Sequence, residues 1–382
     1  MNFNDRTWAE VDLDAIEYNY RTVRSSLPKG TKTCCVVKGN AYGHGAVRVA
    51  KHLSAAGADF FAVSNIDEAL ILRRAGIKAK IVVLGYTPPT RAAELAANNI
   101  SQCVFSSEYA KNLASYAEDT GVNLAVHMKI DTGMGRLGFI FRHSADESLE
   151  ELCEACSYSC FILEGIFTHF PTADEETNGE TAERFERFCE VINSLSARGY
   201  SFEIRHCANS ATSLRYPEFS LDMVRLGIVL YGALPADSMQ TDFKPRTTMS
   251  LRTVVSNIKI ARKGDTIGYG GTFVAPKDMK IATLPLGYAD GFLRTNSDNG
   301  TPILIKGRRC SILGRICMDQ LMVDVDDISD ISVGDVVTVF GDDGISVSEL
   351  AHCDKTIPYE ILCMIGARVP RYYRKDGKVE NP

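Results

Sequence analysis

Lys38 stands at the end of a short apolar run, Cys34-Cys35-Val36-Val37, of the kind that forms a strand covered on both faces. An amine leaving such a dry wall either snorkels to solvent or stays desolvated, with a lowered pKa suited to Schiff-base chemistry. The residues that follow favour the second reading. Gly39, Gly43 and Gly45 let the backbone come close to a ligand, and Tyr42 offers a phenol beside the amine.

Other residues with chemical potential also close apolar runs: Lys129 with Arg136, His169, Asn209 with Ser210, and Arg225. The elements that position them follow from the pattern. From Thr33 onward strands alternate with helices across short connections, with strand ends near Lys38, Ser64, Gly85, Phe105, Lys129, Thr168, Cys207 and Arg225. Helical patterns lie between them, among them Ala46 to Ala56, Ile66 to Ala75, Ser107 to Thr120 and Glu180 to Arg198. Eight such units predict an α/β fold with an N-terminal (β/α)8 TIM barrel, a doubly wound sheet being the structural alternative. In a barrel the strand ends share one mouth. A phosphate there sits on the loops after the seventh and eighth strands, where Ser210 and the Gly227-Ile228 backbone offer N–H groups. The plain alternatives are Ser210 as a helix cap and Gly227 as a packing glycine.

After Tyr231-Gly232 the character changes to short alternating runs punctuated by Gly and Asp turns, which predicts a mostly-β C-terminal domain. The boundary falls in the loop Leu234 to Lys244, giving domains of residues 1–238 and 239–382. Thr7 to Asp12 alternates as a strand and is free to join the β domain, and Asp14 is the expected cap of the helix after it.

Composition narrows the function. The 382 residues are 45% hydrophobic and 24% charged, with a net charge of -6 and no basic block, which argues against nucleic-acid binding. Met1 to Arg6 lacks a signal-peptide pattern and no apolar run is long enough to cross a bilayer, so the expected location is cytoplasmic. The twelve cysteines sit mostly in apolar runs. Cys153, Cys156 and Cys160 are spaced like one helix face, with no second Cys or His pair at zinc-finger distance, so no metal is expected. Gly133-Met134-Gly135-Arg136-Leu137-Gly138 has the letters of a dinucleotide fingerprint, but Phe139-Ile140-Phe141 continues as extended chain where a helix is required.

The segment VVKGNAYGHG around Lys38 resembles the cofactor-lysine signature of the alanine racemases, with Gly39 where that family usually has alanine. HMKIDTGMGRLG, GIFTHFPTAD, CANSA, MVRLGIVLYG, IGYGGTF, LPLGYADG, GRICMDQ and IPYE follow in family order, so the resemblance runs from Thr7 to Arg371. It implies a pyridoxal 5'-phosphate enzyme that interconverts L- and D-alanine and supplies D-alanine for peptidoglycan. Alternatives are a serine or broad-specificity racemase and a non-catalytic pyridoxal-phosphate carrier.

The resemblance also assigns roles. Lys38 holds the cofactor and acts as one base; Tyr269 is the second, on the opposite face. A phenol is a poor base at neutral pH, and His169 and Arg225 are the candidate neighbours to lower its pKa. Arg225 faces the cofactor's ring nitrogen, Asn209 belongs to the cofactor site, and Tyr42, Ser210, Gly227, Ile228 and Tyr359 contact the phosphate. Arg136 contacts the cofactor and the substrate carboxylate, and Lys129 matches a lysine that can be carbamylated and orients that arginine. Tyr288, Met318 and Asp319 are substrate-side residues, with core and turn as the plain reading of Met318-Asp319. Because Tyr269, Tyr288 and Met318 lie in the β domain, the resemblance implies a homodimer with composite sites.

Overall fold

The computed structural model describes residues 6–175, 179–297 and 299–380. The leader reading of Met1 to Asp5 lies outside them. Strand β1 (Thr7–Asp12) is followed by β2 (Lys32–Val36), β3 (Phe60–Val63), β4 (Lys80–Val83), β5 (Ile100–Val104), β6 (Leu124–Asp131), β7 (Phe161–Phe167), β8 (Ile204–His206) and β9 (Met223–Leu226). From β2 to β9 all pairings are parallel, in the order β9-β2-β3-β4-β5-β6-β7-β8. Backbone bonds from Asp222 N to Arg205 O (3.1 Å) and from Arg225 N to Ala208 O (2.9 Å) bring β8 to β9 and leave no room for an open doubly wound sheet. The strands read as apolar runs because both faces are buried, one in the barrel interior and one under helices.

Helices α1 (Leu13–Ser26), α2 (Ala46–Ala56), α3 (Ile66–Arg74), α4 (Ala92–Ala97), α5 (Ser107–Asp119), α6 (Leu149–Cys156), α7 (Glu180–Ala197) and α8 (Ser210–Arg215) fill the connections. The cap of α1 is Asp12, not Asp14: its carboxylate accepts from Ala15 N at 2.9 Å, because Asp12 still has extended dihedrals whereas Asp14 already lies in the first turn. Cys153 and Cys156 sit on the buried face of α6.

The C-terminal strands β10 (Met249–Val254), β11 (Asn257–Ala261), β12 (Met279–Leu284), β13 (Pro302–Ile305), β14 (Arg308–Ser311), β15 (Leu321–Asp324), β16 (Val336–Phe340), β17 (Arg371–Lys375) and β18 (Lys378–Glu380) form two sheets, β14-β13-β16-β10-β1-β17-β18 and β11-β12-β15. β1 lies inside the first, antiparallel to β10 and parallel to β17. Two helices that the alternating pattern hid, α9 (Val347–Cys353) and α10 (Pro358–Met364), also belong here, and α10 packs back onto the barrel mouth. One continuous apolar core spans the barrel and most of the second domain. Among the described residues no helix is long and apolar enough to cross a membrane.

Candidate active site

Lys38 leaves β2 into an unusual turn. Gly39, Asn40, Ala41, Tyr42 and Gly43 all have left-handed dihedrals, with φ of 60°, 55°, 55°, 50° and 81°. For the three non-glycine residues this costs about 1–2 kcal/mol each, so the surroundings must impose it. The carboxylate of Glu68 accepts from Gly39 N and from Ser64 N, both at 2.7 Å, and the side chain of Asn40 accepts from Ala46 N at 2.9 Å. From the other side α10 presses so close that a Cβ on Gly43 would lie 2.1 Å from the carbonyl oxygen of Leu362. The result is a half-buried amine. Burial first, and the Arg136 guanidinium second, push the Lys38 pKa below its ordinary value.

His44 locks the end of this turn. Its Nδ1 donates to the carbonyls of Ala41 (3.1 Å) and Tyr42 (2.9 Å), and its Nε2 accepts from the Thr248 hydroxyl (2.8 Å). Burial drives its pKa down to about 4, so it is neutral in the fold. Between pH 6.5 and 4 the unfolded chain binds a proton that the folded chain refuses. The His44 contribution is therefore complete above pH 6.5 and is lost as the pH falls toward 4, by about 3 kcal/mol. Urea titrations at pH 7 and pH 4.5 check this: wild type loses more stability than His44→Asn over that interval.

Arg225 in β9 is buried and meets only neutral acceptors: the Nδ1 of His206 (2.9 Å), the carbonyls of Thr168 (2.8 Å), His206 and Cys207 (both 3.1 Å), and the Nδ1 of His169 (3.3 Å). Burial lowers its pKa to about 10, which leaves it cationic at neutral pH. Burial, then Arg225, hold His169 neutral. With its Nδ1 accepting from Arg225, His169 keeps an Nε2–H to donate. Lys129 in β6 is buried, donates to the carbonyl of Ile130 (2.6 Å) and lies over the Phe167 ring; burial brings its pKa down to about 7. That removes the reading of an ordinary surface lysine.

Arg136 projects, exposed, from a loop tied to the Asp131 carboxylate, which accepts from the amides of Gly133 (2.9 Å), Met134 (2.7 Å) and Gly135 (3.0 Å) and from Arg142 (2.7 Å). Phe139–Ile140 then pairs alongside Ile130 and Asp131, so the glycine pattern serves a tight loop and not a dinucleotide turn.

On the other side of the mouth Asn209 caps α8 by accepting from Thr212 N (2.9 Å) and donates to the Phe170 carbonyl (3.1 Å). The Ser210 hydroxyl accepts from Gly227 N (2.9 Å). A Cβ on Gly227 would lie 2.9 Å from the Tyr42 hydroxyl oxygen and 3.7 Å from that of Ser210, so only glycine leaves this cradle open. Ile228 is buried behind it. The Tyr42 ring stacks on Tyr231 and lies 5.9 Å from the Tyr359 ring, which α10 brings in from the second domain.

The remaining candidates form a second group. Tyr288 N and Ala289 N donate to the carbonyls of Cys317 (3.2 Å) and Met318 (3.0 Å), placing Tyr288 against Met318 and Asp319. Gly268, Tyr269, Cys317, Met318, Asp319 and Gln320 line one open depression. Asp319 is paired with Arg368 (2.7 Å), which also holds the buried Asp290 (2.8 Å). Met318 is 53% exposed, which excludes a core role, and Tyr269 is 68% exposed, with no side-chain hydrogen bond or ring contact among the described residues. Glu68, His44 and Arg368 escaped sequence reasoning because each has at least one partner far along the chain: Gly39, Thr248, and Asp290 with Asp319.

The profile for "Alanine racemase, N-terminal domain" matches residues 11–235, and that for "Alanine racemase, C-terminal domain" matches residues 248–373. The chain belongs to the alanine racemase family. The alanine racemase of Desulforamulus reducens is 42% identical over 96% of this chain and 98% of its own. The solved alanine racemase of Clostridium difficile 630 superposes with a TM-score of 0.94 at 38% identity, covering 100% of this chain and 98% of that one. That of Bacillus anthracis with bound L-Ala-P gives 0.93 at 38% identity, with 99% and 97% covered. As an amino-acid racemase, the enzyme acts on a small molecule and must remove and return a proton on carbon. Lys38 and Lys129 are the two amines at the barrel mouth whose pKa values burial lowers.

Proposed function

We propose that this racemase interconverts L- and D-alanine with pyridoxal 5'-phosphate, in a homodimer whose two sites each join the barrel mouth of one subunit to the exposed patch of the other. The observation that carries the reading is the Gly227 cradle beside Lys38, kept open by the absence of a side chain and edged by the Tyr42 and Ser210 hydroxyls. Tyr42, Ser210, Gly227 and Ile228, with Tyr359, would hold the phosphate, and Lys38 and Arg225, with His169 and Asn209 behind them, would hold the ring. When bound, the cofactor acidifies the substrate's Cα–H by drawing electrons away from it. Lys38 then moves the proton on one face, and Tyr269 of the partner subunit moves it on the other. The His169 Nε2–H is available to stabilise that phenolate. Tyr288, Met318 and Asp319 come with the same patch and shape the substrate side. The exposure of Tyr269, Met318, Tyr288, Ile357 and Met364 supports a partner covering this face.

Arg225 sets reaction specificity. A guanidinium that keeps its proton leaves the cofactor's ring nitrogen without one, which weakens the electron sink and disfavours transamination. Arg225→Glu should raise transamination per racemisation event by about tenfold or more; an unchanged ratio counts against the reading. Lys129, with a pKa near 7, offers a neutral amine to carbon dioxide at neutral pH. The new N–C bond releases a proton and leaves an anionic carbamate to orient Arg136. Carbon-13 NMR after equilibration with labelled bicarbonate should show a carbamate signal that is absent in Lys129→Ala.

Tyr359 narrows the site for side chains larger than methyl, a discrimination of about 1–3 kcal/mol. Assays with L-alanine and L-serine test the substrate: equal kcat/KM for the two would move the reading to a broad-specificity racemase. The setting we assign is the cytoplasm, where the twelve free thiols stay reduced and D-alanine is needed for peptidoglycan.

A further inference from the structure

Arg225 is the mouth end of a hydrogen-bonded chain that crosses the barrel. Its Nη1 lies 2.9 Å from His206 Nδ1, His206 Nε2 lies 2.9 Å from His127 Nδ1, and His127 Nε2 lies 3.0 Å from a carboxylate oxygen of Glu164. Glu164 is held in turn by the Ser101 hydroxyl and by Lys80, the first residue of β4 on the opposite rim. The two imidazoles are fully buried and Glu164 is only 7% exposed.

The ends of this chain dictate its direction. A guanidinium only donates, so His206 Nδ1 accepts and its proton sits on Nε2. That proton is given to His127 Nδ1, which places the His127 proton on Nε2, facing the carboxylate. Burial opposes charge on Glu164, but the bonds from His127, Lys80 and Ser101 outweigh it and hold its pKa at about 2, so it is an acceptor throughout.

The backbone is built for this arrangement. The β6–β7 register shifts so that Val126 pairs with Leu163 and His127 with Gly165, leaving Glu164 unpaired and turned inward, as at a β-bulge. At Gly165 a Cβ would lie 2.4 Å from His127 Nδ1, so a side chain there would displace the ring. Phe167 stacks on His206 with centroids 4.8 Å apart.

We infer that Glu164 is a positioning residue: through the fixed tautomers of His127 and His206 it orients Arg225 toward the cofactor ring from the far side of the barrel. This rests on the reading that Arg225 faces that ring. Without the chain, Arg225 would be free to reorganise, since its other partners are backbone carbonyls and His169.

The holoenzyme with nitrogen-15 histidine tests the first step, with resonances assigned through His127→Phe. At neutral pH both wild-type rings should be neutral Nε2–H tautomers; an imidazolium or an Nδ1–H form in either overturns the inference. Glu164→Gln should then release the His127 tautomer, shift the visible absorption band of the bound cofactor and change the transamination-to-racemisation ratio about tenfold. His127→Phe should do the same to band and ratio, and the double variant should add nothing further. If Arg225→Glu moves the band and ratio while Glu164→Gln and His127→Phe move neither, the relay is wrong and the role of Arg225 stands. If Arg225→Glu moves neither, both fall.

Discussion

Lys38→Ala is expected to lower racemase activity by at least about 10⁴-fold and to abolish the visible absorption band of the purified protein, because on the proposed reading one substitution removes both the cofactor's covalent anchor and a proton-transfer group. Tyr269→Phe lowers activity by about 10²–10⁴-fold and keeps the band. The informative case combines them. In a heterodimer purified through two different tags, the proposed arrangement has the Tyr269→Phe subunit supply Lys38 and the Lys38→Ala subunit supply Tyr269, so that one of the two composite sites is whole. Such a heterodimer recovers roughly half of wild-type activity per dimer. Recovery no better than the parental variants would mean that both groups must come from one chain, and the composite site would be abandoned.

The second large effect is on stability. In Gly43→Ala a Cβ meets the Leu362 carbonyl at 2.1 Å and the backbone must keep a φ of 81°. Neither strain can be relieved without moving α10, so the expected destabilisation is about 3 kcal/mol or more. Gly30→Ala separates the two terms: it has a φ of 92° with nothing within 4 Å of the added atom and should cost about 1 kcal/mol. Because α10 carries Tyr359, Gly43→Ala should also weaken cofactor retention, read as loss of absorbance on dialysis, whereas Gly30→Ala should not. Equal denaturation midpoints for the two variants would refute the packing argument.

The barrel was legible because its strands are local objects: runs such as Phe60–Val63 and Ile100–Val104 are apolar throughout and end where a turn begins. Once closure is assumed, Lys38, Lys129, His169, Asn209 and Arg225 face one mouth by geometry alone. What stayed hidden depends on pairing between distant parts. Glu164 reads as a lone acid in an apolar strand, and its inward turn exists only through the register shift opposite Val126 and His127. The left-handed turn was half visible: its glycines announced freedom, but Asn40, Ala41 and Tyr42 adopt positive φ because Glu68 and α10 hold them there. At Gly39 an alanine Cβ would meet only Cys363 Sγ, at the ordinary contact distance of 3.6 Å, so the space there does not itself demand glycine. Asp12 and Asp14 flank the first helical residue, and composition alone could not choose between them. Helix α10 is seven residues long and opens with Pro358, too short for its period to show.

The place of β1 in the second domain sets an order of events during synthesis. Thr7 pairs with Thr253 and Asp12 with Arg374. At about 5–20 residues per second the ribosome needs roughly 20–70 s to travel from the first of these strands to the last. The barrel can complete itself in that interval, but β1 cannot. It waits with two open edges and a buried-type face of Thr7, Ala9 and Val11 uncovered. Truncation or delay of the last strands should therefore leave a nascent chain that binds holdase chaperones through Thr7–Asp12, a vulnerability that comes from the loop-closure distance and not from the chemistry at the mouth.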